Sequence, residues 1–292
     1  MTKYIYSTLA LVFLLSCAEK EEVAKNWQLT KAIPITGVNA IGMAVTSEGI
    51  WLSDGDHNRL VLIDDEGKTI RTIDSLDRPM HIGNEGDVLL VPQYGNDEVS
   101  IFDQGQKKAL VLTDSLDAPA GVSSYHQEKA IADFYNNRIL YSKDGKEFIS
   151  FGKEGKAPGD FYYPTDVQIT ENEIWVADAY NNRVQVFDKK GTFLKMIGDD
   201  QNMNAATGIF VGATELFVTD FENSRVLVFD HEGALKQILS EGVEKPIEVI
   251  QYQGQLLVSN YRNSQLLVFD WKEIPEGKET GEEAHDHDHD HE

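Results

Sequence analysis

The chain is most informative at first through what it lacks. It has one cysteine, Cys17, in 292 residues. No internal disulfide can staple it, so its stability has to come from a packed core. Basic residues are scarce: 26 against 49 acidic, a formal net charge of −23. A chain with that balance repels phosphate backbones, which argues against nucleic-acid binding. It also repels anionic membrane surfaces, so any membrane attachment needs something other than charge. No apolar run reaches the roughly 20 residues of a spanning helix. Ile5–Leu15 is almost wholly apolar but too short. The apolar runs after it do not show the three- and four-residue spacing of amphipathic helices. Nothing has the form of a nucleophile elbow, a phosphate-cradling glycine loop or a Cys–His pair.

What the chain does have is a repeat. Between Lys153 and Gly198, apolar stretches of strand length alternate with short polar turns, and weaker copies occur through the rest of the chain. Each unit is anchored by a residue that ends its second strand, with a partner five positions later. The pairs are Asp54/Arg59, Gln93/Glu98, Asp133/Arg138, Asp178/Arg183, Asp220/Arg225 and Asn260/Gln265. Successive anchors lie 39, 40, 45, 42 and 40 residues apart. Four short strands at a period near 40 are the mark of propeller blades. The expectation is an all-β, six-bladed β-propeller of four-stranded blades over residues 26–271. Blade six reaches Asp270 with no glycine turn and no fourth strand after it. The segment Asn26–Pro34 has no earlier strands to join, and it is expected to complete that blade and close the ring. The anchor carboxylates Asp54, Asp133, Asp178 and Asp220 are expected to accept backbone N–H bonds in their own turns, a structural role.

The fourth unit resembles the NHL repeat through Gly155, Gly159, Phe161, Pro164, Asp166, Val167, Val176, Ala177, Asp178, Asn181 or Asn182, Arg183, Val184 and Phe187. Units one, three and five keep the Asp and the Arg, and units two and six lose both. The resemblance implies the propeller fold. It leaves function open, because propellers of this kind include binding proteins and enzymes.

The ends differ in kind from the repeats. Residues 1–16 read as an exported protein's signal peptide, closing on Leu14-Leu15-Ser16 before Cys17. Cys17 is therefore the expected lipidation site. Residues 17–25 form a charged tether resembling the acidic signal that follows the lipidated cysteine in some surface lipoproteins. This predicts a monomeric outer-membrane lipoprotein of the cell envelope, periplasmic or surface-exposed, held by its lipid. Residues 272–292 form an acidic tail with no apolar content, expected to be disordered. In it His285, His287, His289 and His291 alternate with Asp and Glu. In an extended segment those imidazoles share one face, a donor set for zinc or nickel.

Two function classes follow. The first, and the one the sequence favours, is a binding or scaffold module, taking a protein, peptide or glycan at the rim where the second-to-third-strand loops lie. There His57, Tyr94, Phe134, Tyr135, Tyr180, Phe221, Tyr261 and Arg262 are expected. The second is a metal-dependent lyase or lactonase-like hydrolase. Its case rests on the column that opens each innermost strand: Gly42, His81, Gly121, Asp166, Gly208 and Glu248. Three ligand-type side chains on alternate blades would converge at the channel mouth, with glycines between them leaving room for a ligand. One imidazole and two carboxylates suit a divalent ion such as zinc or calcium.

Overall fold

Each repeat unit folds as an antiparallel four-stranded sheet, because its apolar runs are short, rich in β-branched residues and separated by turn chemistry. In the computed structural model, which describes residues 24–274, blade one consists of Gly42–Thr46, Gly49–Asp54, Arg59–Ile63 and Thr69–Ile73. Blades two to five repeat the pattern. Blade six takes three strands from its own unit, Pro246–Tyr252, Gln255–Asn260 and Gln265–Glu273, and its fourth, Lys25–Pro34, from the other end of the chain. The six-bladed architecture and its closure are as the repeat predicts. The residues Asn26–Lys272 make up one compact unit. Cys17, the signal segment and the tail histidines lie outside the described residues.

The blades stack through apolar faces on both sides of their third strands. Val184 and Val186 enter a cluster with Leu227 and Phe229 of blade five. Phe187, next after them in sequence but on the other face, joins Ala130 and Tyr141 of blade three. Burial on both faces explains why these strands read as near-continuous apolar runs rather than as alternation.

The anchor column holds each blade's end together. Asp178 is fully buried. Its Oδ1 accepts from the Tyr162 backbone N–H at 2.8 Å, and Oδ2 accepts from Asn181, Arg183 and Gln185. Asp133 takes the N–H of Asp117 in the same way, and Asp220 that of Asn204. Gln93 and Asn260 take the N–H groups of Asp77 and Glu244. In these five blades the accepted donor is sixteen residues upstream, in the loop entering the same blade. The anchors are structural as expected, but their backbone donors lie in the entry loop and not in their own turns, and Asp54 bonds instead to the His57 and Arg59 side chains.

A second column latches one blade to the next. Asn58, Asp97, Asn137, Asn182 and Ser224 all have positive φ. Their side chains accept the backbone N–H of Arg78, Ala118, Tyr163, Ala205 and Lys245 in the following blade. Those five residues are also left-handed. Asn and Asp tolerate that conformation better than most residues, which accounts for their frequency in the latch.

Candidate functional site

His81, Asp166 and Glu248 meet on the propeller axis. Each comes from the start of an innermost strand on an alternate blade, and one ligand-type atom from each lies within 4.8 Å of the other two. All three are buried, at 2, 7 and 4% exposure. His81 Nδ1 and Glu248 Oε2 share a hydrogen bond of 2.9 Å. Glu248 Oε1 accepts from the Val249 backbone N–H. Asp166 is held at both oxygens: Oδ1 accepts from Val167 N–H at 2.8 Å, and Oδ2 from Ile209 N–H of blade five at 2.9 Å.

The electrostatics of this cluster are unusual because no lysine or arginine pairs with it among the described residues. Burial, and then the Glu248 charge, push the Asp166 carboxyl up to about 7. Burial raises Glu248 well above the ordinary carboxylate range. Burial lowers His81, while the Asp166 charge partly opposes that. The physical cause is common to all three: a charge removed from water is costly unless it is compensated. Two carboxylates and one imidazole are therefore compensated either by protons or by a cation. The set fits a divalent cation, since the donors are buried, convergent, oriented by backbone N–H groups and of the types that bind one.

Two sequence expectations about this column need correction. The glycines do not leave open space between the ligand-type side chains. A Cβ on Gly42 would lie 2.6 Å from Ile82 N and 2.7 Å from His81 Cα. A Cβ on Gly121 would lie 2.7 Å from Thr165 O and 2.9 Å from Asp166 Cα. Glycine is needed because neighbouring inner strands touch there, backbone to backbone. His81 and Gly121 form a parallel bridge, His81 N–H donating to Ala120 O and Val122 N–H to His81 O. Replacing Gly121 by alanine should cost about 1–3 kcal/mol, read as a lower Tm in a thermal melt. An unchanged melt would show that the inner strands sit further apart than this.

The second correction concerns access. The cluster is buried, and the open space beside it lies on the side away from the aromatic rim. A cavity of about 280 Å³ is bounded by Asp166, Glu248, Asn84, Ser123, Gln168 and Phe210, among others. The lining residues other than the cluster follow the ligand column along their strands. The cavity thus extends toward the turns joining first and second strands, the end opposite the rim. Hydroxyl groups close the contact between blades around the cluster: Ser53 donates to Met80 O, Thr165 to Thr207 O and Ser259 to Ala40 O. Sequence reasoning passed over these groups. Serine and threonine are common in strands, and only the register of neighbouring blades gives them partners.

The rim residues fall into two groups. Tyr94, Phe134, Tyr135 and Tyr180 come together on blades two to four, joined by Tyr162 and Tyr163. Phe221 and Tyr261 form a separate pair at 6.2 Å, where Tyr261 and Arg262 bond to Asp56. His57 lies apart from both, with Nδ1 bonded to its own anchor, Asp54. Tyr162 and Tyr163 went unnoticed because they lie in the loop entering blade four. Their position beside Pro164 in the repeat was the available signal.

With this geometry in place, comparison with known proteins is informative about fold. Residues 161–187 match the NHL repeat. The other blades carry the repeat's architecture with fewer of its residues. No curated protein matches the chain by sequence. Among solved structures, a streptogramin B lyase superposes with a TM-score of 0.64 at 12% identity, covering 85% of this chain and 98% of that one. A gluconolactonase from Xanthomonas campestris gives 0.65 at 13% identity, covering 85% and 100%. A chain of a nidogen–laminin complex gives 0.59 at 15% identity, covering 77% and 87%. At these identities the β-propeller fold is what the likeness shows.

Proposed function

We propose that the NHL-type propeller is a metal-dependent enzyme of the lyase or hydrolase class, with its centre at His81, Asp166 and Glu248. The observation that carries this reading is the buried, convergent donor set with no lysine or arginine to balance its carboxylates. Two of the solved relatives in fold, the streptogramin B lyase and the gluconolactonase, are enzymes by name, which is compatible with it. A divalent cation bound there would supply Lewis-acid polarisation of a substrate oxygen. The chain's own residues do the rest. Backbone N–H groups fix the Asp166 carboxylate in one orientation. Without a cation, the His81–Glu248 pair, kept neutral by burial, holds a proton between Nδ1 and Oε2 that a bound cation would displace. The cavity, about 280 Å³ and lined by polar and apolar side chains in about equal measure with no lysine or arginine, is at the small end for ligand pockets. It suits a compact, uncharged substrate that carries hydrogen-bonding groups as well as apolar ones. The lipid anchor proposed at Cys17 would place this activity in the cell envelope.

The test is metal content of the full-length protein, measured by difference so that the tail histidines cancel. Parent protein should carry one more equivalent of zinc, manganese or calcium than Glu248→Gln or His81→Ala. Uptake at this site should weaken as pH falls below about 7, because protons then compete for the same groups. Identical metal content in parent and both variants would remove the centre.

A further inference from the structure

The second patch of chemistry lies at the opposite end of the channel, on the rim of blades two to four. Six rings meet there. Phe134 and Tyr163 stack at 4.8 Å with 15° between planes, and Tyr162 and Tyr163 at 4.5 Å. The Tyr94 and Tyr135 hydroxyls share a hydrogen bond of 2.7 Å. Tyr135 and Tyr180 stand out of the cluster at 49 and 58% exposure. Exposed large rings gathered at one site are a mark of recognition surfaces, while scattered ones are not.

The rest of the rim shows what such rings do in this protein. Two of the left-handed residues that enter blades lie over aromatic residues that follow the anchors. Arg78 lies over Tyr94 at 4.8 Å, and Lys245, in the same column, lies over Phe221 at 5.3 Å. Arg262 covers Tyr261 at 4.8 Å. At blades three and four that column holds Ala118 and Tyr163, and blade five has Ala205. No cation of the described residues lies over Tyr135, Tyr163 or Tyr180. Carboxylates are close by without an ion-pair partner of their own. Glu154 acts electrostatically on Tyr163. Asp117 receives the Tyr135 N–H on its backbone carbonyl, and Asp77 that of Gly95, beside Tyr94. All three side chains are exposed.

We propose that this rim docks an arginine- or lysine-bearing segment of a partner protein, whose cations cover Tyr135 and Tyr180 as Arg78 covers Tyr94. Ring faces attract cations through their quadrupole, and the adjacent carboxylates supply the opposite charge. Charge complementarity selects this partner over an acidic peptide or a phosphate-rich polymer, which a protein of net charge −23 repels. The site is independent of the channel centre, and each stands if the other fails.

The probe is a synthetic Gly-Arg repeat peptide, with the same peptide carrying citrulline, which has arginine's shape without its charge. Binding to the full-length protein is measured by calorimetry at physiological salt. The arginine peptide should bind more tightly than the citrulline one. The double variant Tyr135→Ala/Tyr180→Ala should weaken it by about tenfold, the sum expected for two exposed cation–ring contacts. Its melting temperature should match the parent's, since both rings are exposed. The acidic tail is present in both proteins and drops out of the comparison. Equal affinity of parent and double variant for the arginine peptide, or equal affinity of the parent for both peptides, would overturn the proposal.

Discussion

Replacing Asp178 by alanine is expected to destabilise the propeller by about 3–5 kcal/mol, the usual result of removing one member of a buried ion pair. The carboxylate is fully buried and has four donors: the Tyr162 backbone N–H, Asn181, Arg183 and Gln185. Alanine leaves all four facing a void. Arg183 suffers most, although its guanidinium also donates to the carbonyls of Lys156, Ala157 and Asp160. Those bonds tie down the blade-four entry loop, so the loss should spread from a single carboxylate to the whole loop. For a protein of this size each kcal/mol lowers Tm by about 2–4 °C, and a fall of roughly 10 °C is expected in a thermal melt. The opposite substitution supports the same reading: blades two and six do this work with neutral Gln93 and Asn260. A fall of under a degree or two on Asp178→Ala would show that the pair carries no net stability.

The comparison between those blades also explains what could be read from the sequence. The fold was legible because it repeats. Six copies of one hydrogen-bonding problem leave the same residue types at the same spacing, even where the charge is lost. The three ligand-type residues were legible for a related reason: they break a glycine column at alternate blades. What they face was not legible. The space around Gly42 and Gly121 is decided by how closely neighbouring inner strands approach, and a repeat alignment contains no distance between blades. The same limit hid the Ser53, Thr165 and Ser259 contacts, each of which joins residues from different blades. The aromatic rim was half legible. Tyr94, Phe134, Tyr135 and Tyr180 follow the anchors and were visible as a column. Tyr163 stacks on a ring of the preceding blade, so its role appears only once the blades are side by side.

The largest loss of all is expected from deleting residues 26–34. The strand Lys25–Pro34 is more than the outer edge of blade six, because it also touches both neighbouring blades. Toward blade five, Trp27 is buried and meets Phe217 edge-on at 5.6 Å. Its indole N–H donates to Glu215, its backbone N–H to Gln237 Oε1, and Gln237 Nε2 donates to the Trp27 carbonyl. Toward blade one, Ile33 is buried in a cluster with Ile50, Ile63 and Leu266. Removing the strand exposes the Gln265–Glu273 edge and uncovers two apolar clusters at once. Burying side chains like these contributes about 1.5–3 kcal/mol each, and the whole domain has only about 5–15 kcal/mol to lose. The deletion should therefore leave little cooperative melting near the parent's Tm. Trp27→Ala alone should cost about 3–5 kcal/mol. A synthetic peptide spanning residues 25–35 should restore part of the transition to the deleted protein, since a missing strand can be supplied in trans to an open edge. Rescue by the peptide separates an open ring from a chain that cannot fold at all. A deleted protein that melts where the parent does would mean that the other twenty-three strands hold the ring without it, and that the closure seen here contributes nothing.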